Sequence, residues 1–234
     1  MATHFSQEAL KFLRGLKRNN DREWFQARKG VYERELKLPM LALIGEVNDA
    51  MAGFAPENVQ TPQKAIMRIY RDIRFSPVKR PYKIHQSAWW ARAGLEKTSG
   101  GGFYVHLSGT DLVIAAGVYM PEREQLLAIR RYLVEHHAEL RGLLAGRKLR
   151  SLMHEFDGQK LTRPPKGFSA DDPVVKAAMD LLVCRQWGVS ATLPAETATK
   201  PTLLKEIVER FKVAAPVVAL LNAPLAAKPR RPMF

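Results

Sequence analysis

The feature that most constrains the fold is a change of hydrophobic period at Lys64. Upstream of it, apolar residues recur at helical spacing. They form three sets: Leu10, Leu13 and Leu16; Trp24, Val31 and Leu36; and Leu43, Ile44, Val47 and Met51. Such spacing predicts one-sided α-helices. From Lys64 onward, Ala65, Met67, Ile69, Arg71, Ile73 and Phe75 alternate with Ile66, Arg68, Tyr70, Asp72 and Arg74, the two-residue repeat of a strand. Helical and strand patterns are segregated and do not alternate regularly along the chain. The expected class is therefore α+β, a single domain with an antiparallel or mixed sheet and helices packed against it.

Local signals place the elements. Ser6 reads as an N-cap, and the helix it starts ends at Asn19-Asn20. Asn20 reads as the next N-cap with Glu23 three residues on, giving a helix over 21–37 with Trp24 buried. Pro39 fits the first turn of a third helix. A short helix is expected around Ser87–Ala93. The turn Ser108-Gly-Thr-Asp joins strands 102–108 and 111–119 into a hairpin. Pro121 opens a long helix closing at Gly142, Asp172-Pro173 opens another, Val183–Thr192 reads as a strand, and a last helix follows Thr199-Lys-Pro. There is no internal repeat, coiled coil or Gly/Ser linker, so residues 1–227 read as one domain and 228–234 as a basic tail.

Charge narrows the partners. A composition of 46% apolar and 26% charged residues is that of a folded chain, which excludes wholesale disorder. The net charge of +14 favours polyanions: phosphorylated metabolites, nucleic acid or an anionic surface. Residues 64–92 hold eight Lys/Arg against Asp72 alone. The one cysteine, Cys184, rules out an intrachain disulfide and suits a reducing compartment. No secretory pattern is visible at the start, and Val213–Ala227, the most apolar stretch, is interrupted by Pro216, Asn222 and Pro224. The expected setting is cytoplasmic with no membrane partner; the oligomeric state is open.

Candidate site residues concentrate in Arg68–Lys83. Alternation puts Arg68, Asp72 and Arg74 on one face, two forked donors and one orienting carboxylate, which suits phosphate or carboxylate recognition. Arg71 falls on the other face between Ile69 and Ile73. There it either forms a buried bridge to an acid such as Glu23 or Glu46, or reaches into a cleft. Lys79 and Lys83 follow in a loop that Pro77 and Pro81 stiffen, which lowers the entropy lost on clamping an anion. Lys166, between Pro165 and Gly167, is the outlying ligand candidate. If the site is catalytic, the proton-transfer candidates are Asp72, Tyr82 and His106. Asp72 among arginines should stay ionised and orient. That leaves Tyr82, with a pKa lowered by neighbouring cations, or His106. Alternatively Tyr82 packs its ring and does no chemistry. No cofactor or metal motif is present: His136 and His137 are adjacent on a helix and point about 100° apart. There is no paired-cysteine or HExxH spacing, and no Gly-Lys-Ser/Thr follows Gly100-Gly-Gly. Cys184 follows an apolar helix face and reads as buried.

The pattern Arg68-x-x-Arg71-Asp72-x-Arg74-Phe75-x-x-x-Lys79-x-x-Tyr82 resembles a bacterial conserved-hypothetical family, "domain of unknown function 2461". The resemblance extends over nearly the whole chain through Asn19-Asn-Asp-Arg-Glu-Trp-Phe25, Gly102-Phe-Tyr-Val-His-Leu107, Gly117-Val-Tyr-Met-Pro121 and Pro165-Lys-Gly-Phe168. It implies no activity. The family pattern favours Asp or Asn just before Lys79, where this chain has Val78; if that polar group serves a ligand in relatives, it is lost or replaced here. Three functions compete. The leading expectation is binding of a small anionic, phosphorylated ligand, with action on it left open. The alternatives are a nucleic-acid-binding module, with Tyr70, Phe75, Tyr82, Trp89 and Trp90 interleaved among the cations, and a structural protein with internally paired arginines.

Overall fold

A computed structural model of the chain describes residues 4–74, 76–95, 100–156 and 160–226. Helix α1, Gln7–Arg18, starts where Ser6 Oγ accepts the Ala9 N–H, and it buries Leu10, Leu13 and Leu16. The expected 21–37 helix is broken into α2 (Arg22–Gln26), α3 (Lys29–Tyr32) and a π-helical turn, Glu33–Lys37, which runs straight into α4, Leu38–Met51. Its N-cap is Asp21, not Asn20: the Asp21 carboxylate accepts the Trp24 N–H at 2.8 Å. The expected burial of Trp24 is also corrected. Phe25 is the fully buried ring, whereas Trp24 lies half-buried across Gly15 with the Arg28 guanidinium over its face.

After the short helix α5, Pro62–Ala65, come strands β1 (His85–Trp90), β2 (Gly102–Ser108) and β3 (Asp111–Val118). The helix expected around Ser87–Ala93 is therefore corrected: the chain there is a strand as far as Trp90. The next elements are α6 (Arg123–Leu144), α7 (Arg147–Leu152), β4 (His154–Glu155), α8 (Pro173–Leu182), β5 (Trp187–Pro194) and α9 (Leu203–Ala226). The fold is α+β, with an open antiparallel sheet in the order β1-β2-β3-β5-β4. The basic tail proposed for 228–234 lies outside the described residues, as does Phe75.

The chain divides into two compact units, Met1–Trp90 with Tyr104–Ile114 and Ala191–Lys212, and Ala91–Phe103 with Ala115–Ser190 and Val213–Phe234. In the first, α4 and α5 pack on β1. The side of β1 that carries Gln86, Ala88 and Trp90 is buried. Trp90 meets Phe211 edge-on at 5.4 Å and donates its indole N–H to Asn48 Oδ1. Gln86 is tolerated there because Tyr32 donates to its Oε1 and its Nε2 donates to the Met67 carbonyl. In the second unit α6 packs against α8, and β3 meets β5 at Gly117 and Gly188. A Cβ on either glycine would collide with the facing backbone, and Gly117 has φ +143°, so this close crossing requires glycine.

Candidate functional site

Residues 66–71 run antiparallel to 81–88 as a ragged ladder. Ile66 bridges Ala88 and Tyr70 bridges Tyr82. The Met67 N–H donates to Ser87 O, the Arg71 N–H to Pro81 O, and the Lys83 N–H to Ile69 O at 2.7 Å. The regular strand expected over 65–75 is corrected: Ala65 ends α5, and only isolated bridges follow. The reason is an unequal count. Ile66 and Tyr70 lie four positions apart, but Tyr82 and Ala88 lie six apart, so the second arm bulges. Pro81 also has no N–H to give. The alternation nevertheless persists in burial. Arg68, Tyr70, Asp72 and Arg74 are exposed, Ala65 and Ile69 are buried, and Arg71 is half-buried.

Within the exposed face, Asp72 and Arg74 hold each other. The Arg74 Nε donates to Oδ1 at 3.1 Å and its Nη2 to Oδ2 at 2.7 Å, while the Arg74 amide also donates to Oδ1. These bonds bring the Asp72 pKa down to about 2. The Arg74 fork is thus engaged inside its own segment, as is Lys79, whose Nζ donates to the Ile73 carbonyl at 3.1 Å. Among the described residues, Arg68, Arg71 and Arg80 make no ion pair at bonding distance with a carboxylate, although Arg68 is near enough to Asp72 to help lower its pKa. The buried bridge from Arg71 to Glu23 or Glu46 is therefore not formed. The Tyr70–Tyr82 bridge puts Arg71 and Lys83 together on the side opposite those two rings, and both are half-buried there.

Of its two readings, Tyr82 takes the one in which it packs its ring. Its ring is 2% exposed and stacks on Phe25 at 4.1 Å and 15°, with Tyr70 at 5.4 Å. Burial, then the neighbouring Tyr70, raise the phenol pKa and outweigh the lowering pull of Arg22. Asn20 clamps the backbone at this point. Its Oδ1 accepts the Tyr82 N–H at 3.0 Å and its Nδ2 donates to the Tyr82 carbonyl at 3.1 Å, so one amide side chain supplies the pairing that a neighbouring strand would.

His106, the remaining proton-transfer candidate, stacks on His85 from the adjacent strand at 4.6 Å. Its Nδ1 lies 3.2 Å from the Tyr104 hydroxyl. Trp89 is 6.4 Å from Tyr104, so His85, Trp89, Tyr104 and His106 share one sheet face, opposite Gln86 and Trp90. All four rings are half-buried. Burial, the His106 ring and Lys83 together pull the His85 pKa down to about 4; burial also lowers that of His106, against the pull of Asp111. Both imidazoles are uncharged at neutral pH. Between His85 and Trp89, the buried Ser87 keeps an Oγ with no hydrogen-bond partner.

Sequence reasoning gave Asn20 and His85 no part in this region, and named Trp89 only for the nucleic-acid alternative. Had 85–90 been read as a strand, the two-residue spacing of His85, Ser87 and Trp89 would have pointed to a common face. Lys166 belongs to the second unit, exposed in a turn closed by the Phe168 N–H to Pro165 carbonyl bond, with Gly167 at φ +90°. Cys184 is half-buried and donates to the Asp180 carbonyl, and burial raises its thiol pKa, which makes a poor nucleophile. Among the described residues no group of three or more His, Cys, Asp or Glu could hold a metal ion, and no helix is long and apolar enough to cross a membrane.

A comparison with curated proteins gives no match. The model of one family, described as a conserved hypothetical protein (DUF2461), matches residues 8–219, a span that contains the Arg68–Lys83 segment, the Asn20 clamp and the ring-bearing strands. The chain belongs to the DUF2461 conserved hypothetical protein family.

Proposed function

We propose that the Arg68–Lys83 segment binds a small anionic ligand bearing a phosphoryl group. The observation that carries this reading is the local charge balance. The single acid of the segment is engaged by Arg74, and among the described residues Arg68, Arg71 and Arg80 make no ion pair at bonding distance with a carboxylate. That argues against the alternative in which the arginines are tied up in internal bridges. Arg71 and Lys83, on one side of the ladder, supply a forked donor and a point charge, the combination that suits a compact oxyanion. Asp72, held ionised, engages the Arg74 fork and is unsuited to donating a proton. The single cysteine suits a reducing compartment, and on that ground we place the protein in the cytoplasm.

The test is a thermal-shift and calorimetric screen with inorganic phosphate, pyrophosphate and ribose 5-phosphate, repeated on Arg68→Ala and Arg71→Ala. Stabilisation of the wild type that Arg71→Ala weakens about tenfold or more is expected, since a lost charge-assisted pair is worth about 1.5–3 kcal/mol. No shift with any of them at millimolar concentration refutes the reading. A second reading, a nucleic-acid interface, has one observation behind it: Tyr70 is 45% exposed beside the exposed Arg68. A salt series with a short single-stranded oligonucleotide decides it. A log–log slope near zero removes the phosphate-backbone mode, and a steep negative slope without small-anion binding favours it.

A further inference from the structure

We infer that the sheet face carrying His85, Trp89, Tyr104 and His106 is a platform for a planar heterocycle, which makes the ligand a nucleotide. The inference rests on the anion-binding reading above and adds the part of the ligand that the cations cannot recognise.

The geometry is that of a strip. His85 and Trp89 stand four residues apart on β1, about 13 Å along the strand, and their partners on β2 are one strand spacing away, about 5 Å. Tyr104 and His106 meet edge to face at 5.5 Å, and the strip is held together by the His85–His106 stack and the Trp89–Tyr104 contact. A sheet face used only for packing would bury these rings, as the opposite side buries Trp90, Phe103 and Val105. Here all four keep accessible surface. The rings carry no net charge, which suits stacking and gives no electrostatic preference for an anion.

The charge lies at one end. Lys83 is two residues before His85 and close enough to oppose its protonation, and the ladder register sets Arg71 on the same side as Lys83. At the other edge Asp111, which accepts from the Ser108 and Thr110 hydroxyls, is near enough to His106 to act on it. Cations at the His85 end and neutral aromatic rings towards Trp89 match a phosphate joined to a stacking base. A phosphorylated sugar or acid has no planar group to set against these rings.

Calorimetric titrations with AMP, GMP, CMP, UMP, adenosine, ribose 5-phosphate and inorganic phosphate test this, together with Trp89→Ala, Tyr104→Ala, Tyr104→Leu and Arg71→Ala. Melting curves establish that each variant folds, and Tyr104→Leu fills volume without a π face. At least one nucleotide should bind about tenfold or more tightly than ribose 5-phosphate, the range expected of one stacked base. The Trp89 and Tyr104 variants should erase that preference while leaving phosphate binding intact. If every nucleotide binds no better than ribose 5-phosphate, or the ring variants keep the preference, the platform is refuted and the anion reading stands. If adenosine binds as well as AMP and Arg71→Ala changes nothing, the platform stands and the anion reading falls. Absence of binding by every probe overturns both.

Discussion

Replacing Asn20 by alanine tests how the basic segment is held. The side chain exchanges two hydrogen bonds with the Tyr82 backbone, at 3.0 and 3.1 Å, and is half-buried. Each such bond contributes about 0.5–1.5 kcal/mol net, so Asn20→Ala should cost about 2 kcal/mol. At roughly 2–4 °C per kcal/mol for a chain of this size, the melting temperature should fall by about 4–8 °C. The local effect is sharper. The Tyr82 amide loses its acceptor, and its hydrogen exchange should accelerate about 30-fold, which is 2 kcal/mol of lost protection. Asn20→Asp keeps the acceptor but sets a carboxylate oxygen against the Tyr82 carbonyl, so it should be at least as damaging. Affinity for inorganic phosphate should also fall several-fold, although no cation has been removed, because the backbone carrying Lys83 is loosened. Hydrogen exchange by mass spectrometry or NMR reads the Tyr82 amide directly. An unchanged exchange rate in Asn20→Ala would show that the ladder and the Phe25–Tyr82 stack position the segment without the clamp, and the reasoning would be wrong.

Three further outcomes follow from the same geometry. The folded-state pKa of His85 is about 4, below its ordinary 6.5, so its contribution to stability is fully present above pH 6.5 and is lost as pH falls from there towards 4. The loss reaches at most about 3 kcal/mol, and an NMR titration of the imidazole near 6.5 would refute it. Ser87→Ala removes a buried hydroxyl that has no partner; it should leave stability unchanged or raise it by up to about 1 kcal/mol in a denaturant melt, and a clear loss would reveal a hidden bond. Asp72→Asn releases the Arg74 fork and adds one net positive charge, so phosphate should bind a few-fold more tightly at low salt, with the gain vanishing at high salt; weaker binding would mean that Asp72 orients the site.

What the sequence determined by itself are the features decided within a few residues. Ser6 caps α1, Asp172 caps α8, and the Ser108–Asp111 turn joins β2 to β3, because each depends on hydrogen bonds between near neighbours. The two-residue alternation of 65–74 likewise survives as burial although the ladder is irregular, since side chains of extended backbone must point to opposite sides whether or not pairing is complete. Tertiary structure decided the rest. Ser87–Ala93 reads as a short helix in the sequence, yet His85–Trp90 is a strand. It is one because Ile66 and Met67 pair with it and because Gln86 finds Tyr32, 54 residues away. Asn20 carries a capping signal, yet its amide is used by Tyr82, 62 residues on, and the cap passes to Asp21. Tyr82 stands among cations in the sequence, but its phenol is set by burial against Phe25, which no local charge count reveals. Hydrogen bonds that close within a turn are written in adjacent residues. Burial, strand pairing and the desolvation that shifts a pKa depend on residues the chain brings together only when it folds.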